Sequence, residues 1–206
     1  MEERSIDTIT LDGGWVCLDF INTVHDRTVE NPFEYLSGYP ELLVWCVKVG
    51  ILTSERKTAF DKKVKENREE AERILEDFIK AREILYSFFL PIAQNRVPGK
   101  KLQKQLNVLL NRTMGQLELE VVGKQDVHQK WRDKSSLEYP LNPIIKSAYD
   151  LLTQDLLDRV KECGACGWLF LDQSKNKSRK WCSMENCGSN VKAKRYYHRN
   201  KKKKEK

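Results

Sequence analysis

The chain has 206 residues, with 40% hydrophobic and 33% charged side chains, a formal net charge of +7 and six cysteines. That length holds one good-sized domain, or one domain with a small module. The first residues, MEERSIDTIT, lack the basic and apolar regions of a secretory signal, and the most apolar run, Ile84–Ala93, is shorter than the roughly 18–20 residues of a membrane span; a cytoplasmic protein with no membrane partner is expected.

The charge is unevenly placed. Residues 1–158 carry 22 Lys+Arg against 26 Asp+Glu, whereas residues 159–206 carry 15 against 4. A mildly acidic body therefore bears a strongly basic end, and a polyanionic partner is expected for that end alone.

Taken in order, the body reads as mostly helical. A short strand is expected at Thr8–Leu11, then a helix through GGWVCLDFINTV. Pro40 suits the first turn of a second helix through ELLVWCVKV, stopped near Gly50, and Thr53 or Ser54 caps a third. In NREEAERILEDFIKAREILYSFFLPIA, Ile74, Leu75, Phe78, Ile79, Ala81, Leu85, Phe88 and Phe89 recur near the helical period. This predicts a long amphipathic helix, kinked or ended by Pro91. After VPGK, KKLQKQLNVLLNRT predicts a shorter helix, and LELEVV and VHQKWRD the strands of a hairpin turning near Gly123. Pro143 opens a last body helix through SAYDLLTQDLLDRV that leads into Cys163.

The fold class is thus mainly α with a small β-hairpin, an α+β body over residues 1–158, followed by a small cysteine-built unit over residues 159–206. No Gly/Ser-rich linker separates them, so a rigid junction is expected. Cys17 and Cys46 sit among large apolar residues and read as small core hydrophobes. Asp19 and Asn22 share a helix face with Asp26, and Arg82 lies on an otherwise apolar helix, which invites pairing with Asp19. A buried polar network or helix cap accounts for these groups. No phosphate-binding glycine loop, nucleophile motif or HExxH pattern occurs, and no enzyme is expected.

The other four cysteines form two close pairs, Cys163-x2-Cys166 and Cys182-x4-Cys187, with fifteen residues between them. Such pairs fit tetrahedral zinc, each on a tight turn. A segment this short lacks a sufficient core of its own, and a structural zinc supplies about 10–16 kcal/mol of apparent binding energy. Four thiolates close the coordination shell and leave the site near a charge of about −2, a poor Lewis acid. This zinc builds a shape.

Trp168–Asp172 reads as a short strand. In SKNKSRK, an extended backbone would align Lys175, Lys177 and Arg179 on one face as a comb for a phosphate backbone, with Lys180 beside it. Ser189 or Asn190 can cap a helix through VKAKRYYHRNKK, with Lys192, Arg195 and Arg199 on one face and Lys194, His198 and Lys201 beside them. Tyr196 and Tyr197 are expected to pack on the finger ahead of stacking on bases. Lys201–Lys206 reads as a disordered basic tail.

WLFLDQSKNKSRKWCSMENCGSNVKAKRYY closely resembles the CGNR-type zinc finger, in which a Cys-x2-Cys pair precedes LF-D-S-x-N-x-S-R-x-WCSM-x-x-CGNR-x-KA-x-R. The chain departs at the naming tetrad: Ser189 and Asn190 stand where the family has Asn and Arg. The body resembles the ABATE domain, through Gly14, Leu18, Asp19, Phe20, Asn22 and Thr23 and the Trp45…Gly50-Ile51-Leu52 segment. The resemblance implies a treble-clef-like, DNA-binding finger attached to a ligand-sensing body in bacterial stress-related transcription regulators. It places zinc on Cys163, Cys166, Cys182 and Cys187, highlights Arg179, Lys192 and Arg195, and makes Asp19, Asn22 and Arg82 candidates for a small-effector pocket. The expected function is a DNA-binding transcriptional regulator. RNA binding and a zinc-organised protein-interaction module are the alternatives. A homodimer would suit paired half-sites, though no motif encodes one.

Overall fold

The computed structural model describes the backbone of residues 4–204 and the side chains of residues 4–197 and of residue 201. Seven α-helices and two antiparallel hairpins are described. α1 (Val16–Ile21) buries Cys17, Leu18, Asp19, Phe20 and Ile21 at the centre. α2 (Tyr39–Lys48) has Pro40 in its first turn and stops at Gly50, and α3 (Ser54–Glu66) is capped by Thr53, whose side chain accepts from Arg56 N.

α4 (Arg68–Ala93) is the spine. At 26 residues it is about 39 Å long. Its buried stripe of Ala71, Leu75, Phe78, Ala81, Leu85, Phe88 and Phe89 follows the helical period, and Pro91 lies in its last turn without stopping it early. α1, α2 and α3 pack against it, and so does α5 (Lys100–Met114). β1 (Leu117–Gly123) and β2 (Asp126–Trp131) form the expected hairpin. α6 (Leu141–Thr153) closes the body against α1 and α5. There Trp15 Nε1 donates to Ser147 O at 2.8 Å and Cys17 N to Ser147 Oγ at 3.1 Å.

Two elements differ from expectation. Thr8–Leu11 is not a strand; Lys48 Nζ gathers the carbonyls of Asp7 and Ile9 at 2.8 and 2.6 Å. α6 ends at Thr153 instead of running into Cys163. A 3-10 turn (Leu157–Arg159) leads into β3 (Val160–Glu162), because that segment pairs antiparallel with β4 (Leu169–Leu171), Val160 opposite Leu171 and Glu162 opposite Leu169.

β3 and β4 both pack on α4, and β4 also packs on α1. Cys163, Trp168, Leu169, Phe170, Leu171 and Cys182 are buried in one hydrophobic core with the body helices. Among the described residues, no helix is long and apolar enough to cross a membrane.

Candidate metal centre and nucleic-acid interface

The β3–β4 hairpin carries the first cysteine pair on its turn. Cys163 N donates to Trp168 O at 2.7 Å and Gly167 N to Cys163 O at 2.9 Å, folding the backbone around the sulfurs. Gly167 takes a φ of +71°, which strains any L side chain, and a Cβ there would sit a tight 3.2 Å from Arg27 Cβ, so both backbone and space favour glycine. Of the second pair, Cys182 precedes and Cys187 lies on a π-helical turn (Met184–Gly188), opened by Ser183, whose side chain accepts from Asn186 N. The expected cap at Ser189 or Asn190 therefore lies one turn earlier, and α7 (Ser189–Lys204) grows directly from Cys187 and Gly188.

The four sulfurs lie within 4.8 Å of one another, with Cys166–Cys182 at 3.8 Å and Cys182–Cys187 at 3.7 Å. Sulfurs on a tetrahedron with zinc–sulfur bonds of about 2.3 Å stand about 3.8 Å apart. The donor set fits the ion in number, kind and spacing. Bonds from Cys166 and Cys182 hold the Cys163 thiol far below its ordinary range, while Cys163 and Cys166 push Cys182 up. A cation among the sulfurs relieves that conflict.

Behind the metal centre, β4 is sewn to the body. The Asn22 side chain acts as a strand edge, donating from Nδ2 to Leu169 O at 2.8 Å and accepting from Leu169 N at 3.1 Å. Trp168 Nε1 donates to Val24 O at 2.6 Å, Leu171 N to Gly13 O at 2.8 Å, and Arg27 N to Cys166 O at 2.9 Å. The Arg27 guanidinium stacks 3.9 Å above the Tyr86 ring and pairs with Glu83 at 2.9 Å. Segment 13–27 is thus the docking strip for the finger.

Asp19, Asn22 and Arg82 do not converge on a pocket. Asp19 Oδ1 accepts from Gly13 N at 2.8 Å, and a Cβ at Gly13 would lie 2.7 Å from Asp19 N. Burial raises the Asp19 carboxyl to about 7, opposed by the Gly13 bond and reinforced by Asp12. Arg82 does not pair with Asp19. It grips Glu34 through two bonds of 2.7 Å, with Thr23 and Glu83 completing its shell. The three are buried, and each is satisfied by partners of its own. A cleft of about 590 Å³ lies instead between the N-terminal segment and the finger, lined among others by Arg4, His25, Tyr35, Cys166, Asn190 and Lys194.

The cations divide as sharply. The expected comb is absent, because residues 174–177 form a turn and Lys177 has a φ of +48°. The reason is Asp172, fully buried, which accepts from Ser174 N at 3.0 Å, Arg179 N at 2.9 Å and Lys161 Nζ at 3.0 Å. Burial opposes its charge, yet these donors hold its carboxyl well below the usual range. Lys177 pairs with Asp158, and Arg179 bonds Cys182 O and stacks 4.9 Å over Phe170. Lys175 and Lys180 remain exposed.

On α7, Lys192, Lys194 and Arg195 are exposed, and among the described residues no acidic side chain pairs with any of them. Tyr196 and Tyr197, expected to pack on the finger, are 70% and 67% exposed. Arg199 lies outside the described side chains. The helix continues to Lys204, into the stretch expected to be disordered, and residues 205 and 206 lie outside the described chain.

Two family matches agree with this geometry. Residues 159–200 match the CGNR zinc finger, and residues 14–155 match ABATE, described as "Putative stress-induced transcription regulator". The chain belongs to the ABATE family. In this ABATE protein one structural zinc ion is held by Cys163, Cys166, Cys182 and Cys187. No curated protein matches it. Sequence reasoning missed Arg27, Asp172 and the true partner of Asn22. Only Asp172 left a signal, as the carboxylate closing an apolar strand.

Proposed function

We propose that this ABATE protein is a non-enzymatic, cytoplasmic transcriptional regulator that binds duplex DNA through its zinc-anchored C-terminal helix. The observation that carries the reading is α7 itself: a cationic helix fixed at one end by the metal centre, with Lys192, Lys194 and Arg195 exposed and free of acidic partners among the described residues. At 16 residues it is about 24 Å long, and the major groove admits an α-helix. Lys175 and Lys180 add cations from the finger loop. Phosphate neutralisation supplies the affinity, with a steep dependence on salt. A small effector is accommodated in the cleft between the N-terminal segment and the finger, where Asn190 and Lys194 of α7 form part of the wall.

The test is titration of the zinc-loaded chain with random duplex DNA and with a matched hairpin RNA across a salt series, with and without chelator. The expected result is salt-steep binding to DNA that is lost with the metal. A preference for the RNA, or binding that survives chelation, would overturn the reading.

A further inference from the structure

The β1–β2 hairpin has two unlike faces. Its register places Leu117, Leu119 and Val121 across from Trp131, Gln129 and Val127 on one side, and Glu118 and Glu120 across from Lys130 and His128 on the other. The charged face is satisfied within the hairpin: Glu120 pairs with Lys130, Glu118 with Arg132 at 3.1 Å, and Asp126 with His128 at 3.0 Å. The apolar face is half-buried at its Leu117–Trp131 end, where Trp131 packs against the body core, and uncovered beyond it, with Leu119, Val121 and Val127 exposed by 65%, 73% and 52%. The sheet has two strands only, so both outer edges present backbone donors and acceptors without strand partners. Two strands alone are marginal in water, and three or more with an apolar face are stable.

Charge decides what completes the sheet. Residues 117–132 carry three acidic and three basic side chains, a neutral patch on a chain of net charge +7. It gives a polyanion no purchase, and it is a place where two such chains meet without hairpin repulsion. The two edges differ in how they would meet themselves. β1 paired antiparallel with a second β1 about Leu119 sets Glu118 against Glu120, a like-charge opposition. β2 paired with a second β2 about Gln129 sets Val127 against Trp131 and Asp126 against Arg132, each twice by symmetry. His128 against Lys130 is its least favourable pair.

We infer that the β2 edge is a homodimerisation surface: two copies join β2 to β2 about a two-fold axis at Gln129, making a four-stranded sheet. The two apolar stripes become continuous, and Val127 of each copy gains the exposed part of the other's Trp131 ring. This pairing stands independently of the nucleic-acid reading.

The experiment uses the full zinc-loaded chain. Sedimentation equilibrium is expected to show a dimer that Val127→Lys weakens roughly tenfold or more, with zinc content and helical signal unchanged. In a Gln129→Cys variant the two thiols face each other across the axis, where directly opposed antiparallel residues stand about 4.5–5.5 Å apart, within disulfide reach. Mild oxidation is expected to cross-link Gln129→Cys and not Leu119→Cys, since the native cysteines are buried or grouped at the metal site. A chain that stays monomeric at its highest soluble concentration would overturn the inference. So would a dimer indifferent to Val127→Lys, or cross-linking at position 119 instead of 129.

Discussion

The two sides of the metal centre make opposite demands on the same four cysteines. On one side, β4 is buried, bonded to Gly13, Asn22 and Val24, and continuous with the core of the helical body. On the other, α7 leaves the sulfurs and exposes nearly every described side chain. The body side spends its polar groups on itself, down to Arg179 and Lys177, while the helix side leaves Lys192 and Arg195 without acidic partners among the described residues. A zinc unit of this kind is both a brace for the domain it touches and a mount for the helix it presents.

Breaking the metal site tests both halves at once and carries the largest expected effect. Cys182→Ser should release the ion, melt α7 and lower the unfolding temperature of the body too, because β3 and β4 share its core. The loss draws on the roughly 10–16 kcal/mol that structural zinc contributes. Zinc quantification with thermal melting by circular dichroism checks it, and an unchanged body transition would show that the seam does not brace. Asn22→Ala removes only one part of the seam and leaves the Trp168, Leu171 and Arg27 bonds in place. Two buried backbone groups of Leu169 lose their partner, which should cost about 2–4 kcal/mol in denaturant unfolding while the folded fraction keeps its DNA affinity.

An effect of comparable size follows from pH. Asp19 titrates at about 7 in the folded chain against an ordinary value of 3.8. The folded state thus holds the proton more tightly, so this group's contribution is fully present below pH 3.8 and is lost as pH rises through about 7. Asp19→Asn keeps an acceptor for Gly13 N and should flatten that decline; urea midpoints at pH 5 and pH 8 read it directly. Least disruptive to the fold is replacement of Lys192 and Arg195 by Ala. Stability should shift by no more than about 0.5 kcal/mol, while the salt slope of DNA binding falls by about one for each phosphate that is no longer neutralised. If the slope is unchanged, α7 is not the surface that meets DNA.

Much of this was legible in the residues, for physical reasons that also explain the rest. α4 announced itself because a long helix with one buried face must repeat its apolar residues, and the metal set because sulfur ligands on tight turns require close pairs. The partner of Asn22 was not legible, since Leu169 is 147 positions away and an amide can serve many roles. The same holds for Arg82, whose apolar helix suggested a carboxylate partner but not that it would be Glu34 from an irregular segment. The Lys175–Arg179 comb failed because alternation alone cannot register Asp172, which folds the loop around itself.

The Asn22 side chain standing in for a strand has a consequence for how such proteins can be reassembled. A finger from another chain, grafted after residue 158, would arrive at a slot cut for Leu169, Trp168 and Gly167 by residues 13–27. The heritable unit is therefore discontinuous: strip and finger must travel together, although most of the body separates them along the chain.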